Sequence, residues 1–305
     1  FYPNGSFGGT LGSRQTLHFY AHGYELQAPR NPLALACAEF GLQSLKDGKL
    51  VPPEIQDERY HVYRIPEFLE AYLDFAPRTG QKNLPLPHQS PPFEKYFDNA
   101  KIFIKNTASH YLLLNLAKGG VVKIHDKTDK KLVFSDDGLI ATLPGGKVLT
   151  TQWIGEEYKI ERVENRFTVR GNFHKIPFKF FNPVTMIAFR VFMLAAGWNA
   201  KNAELVKGLI RKLLVTRQAK SEISFMREFE VSEKKLTILG RIDSKTKIRS
   251  LRIGGQFASR YVPQSRFFQQ EELENEYWEL KKTDADVLSF QIAFDFAANK
   301  AEFKS

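Results

Sequence analysis

The chain has 305 residues, enough for one large domain or two of ordinary size, and 43% of them are hydrophobic. This composition excludes a disordered chain. The longest apolar run, from Ile187 to Gly197, is interrupted by Arg190 and is too short to span a bilayer. A single cysteine, Cys37, excludes a disulfide within the chain and any multi-cysteine metal cluster. We therefore expect a globular chain without a membrane span.

The charge balance is basic, with 44 Lys and Arg against 34 Asp and Glu, a formal net charge of +10. Such a surplus suits polyanionic partners. The stretch from Lys201 to Arg252 is the most basic part, and its charges alternate with apolar residues. This spacing favours the solvated faces of a helix and of the strands after it, with a dedicated polyanion groove as the alternative. No RNP-like box, helix-turn-helix pattern or zinc-finger spacing occurs, so no nucleic-acid partner is expected. Nucleic-acid binding through the region from Lys201 to Arg252 is the weaker alternative.

The first 76 residues are predicted to form a glycine-rich loop followed by helices. Asn31 and Pro32 provide an N-cap and a first-turn proline for a helix of about 15 residues. A second helix is predicted from Pro66 to Phe75. The side chains expected on the buried faces are Leu33, Ala36, Phe40 and Leu45 in the first helix, and Phe68, Leu69, Tyr72 and Leu73 in the second.

A proline-rich linker is predicted over residues 77–97. Five of the chain's 15 prolines fall in this segment, which has neither a helical nor a strand period.

Residues 98–305 are predicted to form an antiparallel β-sandwich. Short β-branched and aromatic runs recur about every 10 residues and are separated by glycine-containing turns. The predicted strands cover 102–104, 111–116, 121–124, 132–134, 139–142, 148–153, 158–163, 167–169, 223–231, 236–242, 248–253 and 287–296. Between them, Asn182 and Pro183 indicate a helix start, and a helical insertion is predicted near residues 182–214.

Three blocks of sequence resemble the C-terminal part of heparinase II/III-like proteins. They are the segment from Gly8 to Arg14, the block from Lys118 to Gly138, and the basic segment 209–217 with the strand residues around Arg227 and Arg241. The resemblance spans most of the chain and implies a mainly β fold with helices. In that fold residues 1–76 would end an α/α toroid and residues 98–305 would form the large antiparallel β-sandwich that follows it.

The resemblance also implies a function. Characterised members are polysaccharide lyases that cleave uronic-acid polymers by β-elimination, which implies an exported bacterial protein, periplasmic or extracellular, with an acidic polysaccharide as its partner. Phe1 stands where an initiator Met would be expected, which indicates a fragment or a processed chain. Because the family's catalytic Asn and Tyr come largely from toroid helices upstream, the fragment alone is expected to be inactive. A non-catalytic carbohydrate-binding or structural module is the alternative.

Lyase chemistry needs a group that neutralises the uronate carboxylate, together with a base and an acid. Arg14 is the candidate clamp for the carboxylate. Tyr20 is the candidate acid/base, with His22 or His18 as its partner, and Tyr24 completes the substrate site. If this segment is extended, its alternating His and Tyr side chains share one face. The alternative is that they only brace the end of the toroid.

His110 is the third candidate catalytic residue. Some family members carry a His-x-His-x-Asp motif, but Ala108 and Leu112 occupy the positions of the other His and the Asp here. An ordinary strand-end histidine is therefore the alternative interpretation. No cofactor is expected. A structural metal would require His110, His125 or His174 to meet Asp126 in the fold.

Overall fold

The described part of the chain is mainly antiparallel β and contains fifteen β-strands and four α-helices with defined bounds, and five described residues between 201 and 208 are also helical. The computed structural model describes residues 21–47, 58–75, 84–151, 158–175, 183–196, 220–254, 277–283 and 286–305, together with six positions between 199 and 208.

Three helices precede the sheets: α1 (Ala21–Gln27), α2 (Pro32–Lys46) and α3 (Glu58–Phe75). Helix α2 has the predicted start and, with 15 residues, the predicted length. Asn31 caps its N-terminus, because the Asn31 Oδ1 accepts a hydrogen bond from the Leu33 N–H at 3.1 Å. Helix α1 contacts both α2 and α3.

The predicted buried faces of these helices are partly wrong. Leu69, Tyr72 and Leu73 are all exposed, and so is Phe40 on α2. Ala36 is buried as predicted, and Leu35 of α2 is buried as well. The other buried apolar side chains described in these helices are small and allow close approach of the backbones. The buried small residues are Ala34, Ala36 and Ala38 on α2, Ala71 on α3 and Ala28 just after α1. Helix α3 also begins well before Pro66, which lies inside it.

The smaller of two sheets contains the first five strands in sequential order. They are β1 (Phe93–Phe97), β2 (Ile102–Asn106), β3 (His110–Asn115), β4 (Val121–Asp126) and β5 (Lys131–Asp136). Residues 93–97, predicted to end the linker, form the edge strand β1.

The larger sheet has ten strands in the order β13-β12-β6-β7-β9-β10-β11-β14-β15, with β8 also paired to β9. Its strands are β6 (Leu139–Thr142), β7 (Val148–Thr150), β8 (Lys159–Val163), β9 (Arg166–Lys175), β10 (Lys220–Val231), β11 (Lys235–Asp243), β12 (Ile248–Gly254), β13 (Tyr277–Thr283), β14 (Val287–Asp295) and β15 (Lys300–Lys304). Helix α4 (Pro183–Ala196) lies in the connection between the neighbouring strands β9 and β10. Helix α4 lies within the range 182–214, where the helical insertion is predicted.

One hydrophobic core joins the two sheets. Alternate residues of strands in both sheets point into it, as the period of two in a half-buried strand requires. Aromatic rings from the two sheets pack against each other. The ring centroids of Phe103 on β2 and Phe167 on β9 are 4.7 Å apart, and those of Phe134 on β5 and Phe294 on β14 are 5.3 Å apart. The predicted mainly antiparallel β fold with additional helices is confirmed, and the toroid assignment of residues 1–76 stays a prediction.

Candidate functional site

The predicted loop site falls mostly outside the described residues. Arg14, His18 and Tyr20 lie there entirely, and only the backbone of His22 is described. Residues 21–27 form helix α1, so the extended backbone that would place the alternating side chains on one face is not present at His22 and Tyr24. Residues two apart in a helix lie about 200° apart around its axis, so these two do not share a face. Their functional roles stay predictions.

Tyr24 is half-buried in α1. Burial raises the pKa of its hydroxyl, with a smaller contribution from the nearby Cys37 thiol. Burial raises the pKa of Cys37 as well. Both groups therefore stay protonated at neutral pH, and Tyr24 is suited to donate a hydrogen bond rather than to act as a base.

His110 begins strand β3 and is only 2% exposed. Its Nε2 lies 2.6 Å from the Asn299 Oδ1, and the Asn299 Nδ2 donates to the Asp126 Oδ2, also at 2.6 Å. Because the Asn299 oxygen accepts, the Nε2 of His110 must carry the proton. The Ser109 hydroxyl lies 2.8 Å from Nδ1, so both ring nitrogens are engaged.

The chain of contacts from His110 through Asn299 to Asp126 ties the two sheets together. His110 and Asp126 are paired across β3 and β4, whereas Asn299 lies in the turn between β14 and β15. The Asn299 amide and then the backbone N–H groups after Asp126 hold the pKa of that carboxyl below its ordinary value. The described contacts of His110 are those of a structural tie, and its catalytic role stays a prediction.

No group of three or more His, Cys, Asp or Glu in the described residues is placed to hold a metal ion. His125 lies beside Asp126 on β4 in the smaller sheet, whereas the buried His174 lies on β9 in the larger one. The structure therefore does not gather the histidines that were considered for a metal site.

The glycine and aspartate block that carries the resemblance converges on a buried arginine. Arg227 on β10 is 0% exposed, and its guanidinium donates to the Gly120 carbonyl and to the equally buried Asp136 carboxylate. The other carboxylate oxygen of Asp136 accepts the Gly138 N–H at 2.9 Å. The Phe229 ring covers the guanidinium at 4.9 Å. This Arg227 cluster is a buried connection between the sheets and cannot reach a ligand in solution.

A row of cations crosses the solvent-facing side of the larger sheet. In the strand register, Lys159 of β8 lies opposite Arg170 of β9. Arg170 lies opposite Met226 of β10, and Met226 lies opposite Arg241 of β11. The three charged side chains are exposed. Neighbouring strands lie about 4.8 Å apart, so the row extends over about 14 Å. We call Lys159, Arg170 and Arg241 the cation row.

The cation row lines an open cleft of about 530 Å³, to which Lys220, Asn172 and Ser224 also contribute. Arg170 pairs with Glu161 at 3.2 Å, and Arg241 pairs with Asp243 at 3.1 Å. Exposed pairs of this kind are weak, and each guanidinium has five N–H donors, so both retain donors for an anionic ligand. The cleft thus offers several cations next to neutral hydrogen-bonding groups.

A second open cleft, of about 610 Å³, lies on the other face of β8. Its cations are more fully engaged, because Lys101 pairs with Asp98 at 2.8 Å and the Arg162 guanidinium covers the Tyr96 ring at 4.8 Å. It is a weaker candidate for an anionic ligand than the cleft along the cation row.

Comparison of the chain with protein-family models, with curated proteins and with solved structures found no match. Among the helices that the structure describes, none has the length and apolar character needed to cross a bilayer.

The residues of the cation row were not among the sequence candidates, although Arg241 had been noted as part of the resemblance. Each lies at a solvent-facing position of a strand, which alternation alone can predict. Their meeting in one row depends on the register between β9, β10 and β11, and single-strand periodicity does not contain that information.

Proposed function

We propose that this chain binds an acidic polysaccharide along the cation row on the exposed face of the larger sheet. The single observation that carries the proposal is the alignment of Lys159, Arg170 and Arg241 across neighbouring strands. Arginine can bind a carboxylate or a sulfate through two parallel hydrogen bonds, so a row of such groups suits a linear polymer with repeated anionic groups.

The neighbouring side chains favour a polysaccharide over a nucleic acid. Glu161 and Asp243 lie beside the cations, and Glu228 occupies the next row of outward positions on β10. A duplex with one phosphate per about 1.7 Å would be repelled by these carboxylates. A polymer with at most one carboxylate per sugar ring carries a lower density of negative charge and would be repelled less by the protein's carboxylates. Its hydroxyl groups can also donate hydrogen bonds to those carboxylates. Phe225, which lines the cleft, is buried and offers no exposed ring for base stacking.

The proposal is tested by measuring the affinity of the chain for a panel of uronate polymers at low and moderate salt. The variant K159Q/R170Q/R241Q removes the cation row. The matched control, K131Q/K147Q/K234Q, removes three exposed charges elsewhere and leaves the same net charge. We expect the row variant to lose at least tenfold in affinity, equivalent to about 1.4 kcal/mol, and the control to lose much less.

Equal losses in both variants would mean that only net charge matters and would refute the assignment of the site. Tighter binding to duplex DNA than to every polysaccharide would refute the ligand class. Binding that does not weaken with added salt would also contradict the proposal, because exposed charges are screened.

A second candidate function, polysaccharide lyase activity, rests on the resemblance and on the protic residues between Arg14 and Tyr24. In this proposal Arg14 binds the uronate carboxylate, Tyr20 transfers the proton with His22 or His18, and His110 and Tyr24 complete the site. The finer fold, an α/α toroid followed by a β-sandwich, and an exported periplasmic or extracellular location belong to the same proposal.

The lyase proposal is tested by incubating the protein with uronate polymers and following the ultraviolet absorbance of the unsaturated uronate product. Activity that disappears in Y20F and R14A supports the proposal. Activity that both variants retain would refute these roles. A complete lack of activity, together with binding that depends on the cation row, would favour the non-catalytic binding module.

A further inference from the structure

Helix α4 presents an apolar stripe to solvent. All eight of its positions with described side chains are exposed. Val184, Ile187, Val191 and Leu194 follow the i, i+3, i+7, i+10 spacing of one helix face, and between 60% and 73% of each side chain is exposed. A continuous apolar stripe of this kind on a protein surface marks an interaction site.

The chain around this stripe is strongly basic. From Lys175 to Lys220 it contains nine Lys and Arg and one acidic residue, Glu204. Of the described cations, Lys175, Arg190 and Lys201 are exposed. Lys175 ends β9 and Lys220 begins β10, and these strands are neighbours, so both ends of the connection leave the sheet at one place.

We propose that helix α4 binds the surface of an anionic lipid bilayer, with its apolar stripe inserted at the interface and its axis parallel to the membrane. Helix α4 carries one cation, Arg190, and the other cations flank it in the chain. Apolar side chains of a helix can insert at the bilayer interface, and anionic lipids attract each nearby Lys or Arg. A helix of 14 residues is too short to span the bilayer, so it lies in the interface.

Charge argues against a second copy of this chain as the occupant. A symmetric contact through α4 would bring two identical basic segments together, and like charges would oppose it. A bilayer of neutral lipids would accept the apolar stripe but would leave the basic segment without counter-charges. An anionic bilayer satisfies both features.

The test is flotation of the intact chain with vesicles of phosphatidylcholine alone and of phosphatidylcholine mixed with phosphatidylserine. We expect binding to the anionic vesicles that weakens with salt. The variant I187E/V191E should reduce that binding at least tenfold. The control V163E changes an equally exposed valine on β8 and should bind as the original chain does. Thermal unfolding checks that the variants are folded, and V184S/L194S provides a milder change of the same stripe.

Failure of the original chain to bind anionic vesicles would overturn the proposal. Binding by both stripe variants that is as tight as binding by the original chain would overturn it as well. A dimer in solution that I187E/V191E converts to a monomer would identify the stripe as a contact between copies instead. Polysaccharide binding along the cation row should be unchanged in the stripe variants, so the two proposals can fail independently.

Discussion

Replacing Arg227 by methionine should strongly destabilise the fold. The substitution keeps an unbranched apolar side chain in the core but removes the charge that pairs with Asp136, and neither residue is exposed at all. The Asp136 carboxylate would then keep only the Gly138 N–H among the hydrogen bonds described above, and the Gly120 carbonyl would lose its side-chain donor. Breaking a buried ion pair from one side costs about 3–5 kcal/mol, because the remaining charge is left in a medium of low polarity.

A double-mutant cycle separates the pair from the packing. Asp136→Asn keeps an oxygen for the Gly138 N–H but removes the negative charge, so the double variant R227M/D136N contains no unpaired ion. We expect the double variant to be less destabilised than R227M alone, by about 2 kcal/mol, because the desolvated charge has been removed.

The measurement is urea unfolding followed by circular dichroism, with the free energy of unfolding extrapolated to water. Arg166→Met is the matched control, since Arg166 is exposed and pairs with the half-buried Glu228 at 3.3 Å and with the exposed Glu230 at 3.5 Å. Because such pairs at the surface are weak, its loss should cost less than about 1 kcal/mol. A cost below about 1 kcal/mol for R227M, or a double variant as unstable as the sum of the two single variants, would refute the account of Arg227 as a charge held by Asp136.

Two further predictions concern the connections between the sheets. Gly120 and Gly146 both have a φ of +80°, so alanine would carry the same backbone strain at the two positions. At Gly120 the Cβ of alanine would lie 2.3 Å from the Phe229 ring, whereas at Gly146 it would meet nothing within 4 Å. Urea unfolding should therefore find G120A less stable than G146A by about 1–3 kcal/mol, and equal stabilities would contradict the close contact. Asn299 has a φ of +51°, which glycine tolerates, so N299G isolates the loss of its two hydrogen bonds and should cost about 1–3 kcal/mol near neutral pH. The pKa of Asp126 is lowered in the fold, so the stability that its charge contributes is present above the ordinary Asp pKa of about 4 and is lost as the pH falls through the folded pKa. The difference in the free energy of unfolding between the original chain and N299G should therefore narrow on acidification from pH 5 to pH 3. A constant difference would contradict the link between Asn299 and the charge of Asp126.

The strands inside the two sheets were predictable because their burial alternates. Strand β11 buries Leu236, Ile238 and Ile242 on one face and exposes Leu239 and Arg241 on the other, and this period is visible in the sequence.

The three strands that the sequence analysis missed are all edge strands: β1, β13 and β15. Their sequences, FEKYF, YWELKKT and KAEFK, are rich in charged residues. Charged side chains at an edge discourage pairing with other chains, so the feature that protects the edge also hides the strand from a search for apolar runs.

The helices show a different error, because both the start of α3 and the face that it buries differ from the prediction. The apolar period suggested that Leu69, Tyr72 and Leu73 face inward, yet these side chains are exposed and Ala71 is buried. Hydrophobic periodicity identifies the most apolar face of a helix, whereas packing between helices also depends on which face allows the backbones to approach. The second property depends on neighbouring helices and was not available from one segment.

The Arg227 cluster and the cation row differ in burial, and this difference decides what a substitution in each one measures. The sequence analysis placed Gly120, Asp136 and Arg227 among its candidate blocks, and the structure buries all three in one cluster between the sheets. These residues therefore determine how the layers are held together, and their substitution will report on stability whatever the chain binds. Lys159 and Arg170 lie outside those blocks and face solvent, so their charges contribute little to the stability of the fold. A loss of binding in the cation-row variant at unchanged stability would thus be evidence of function that no substitution in the Arg227 cluster can provide.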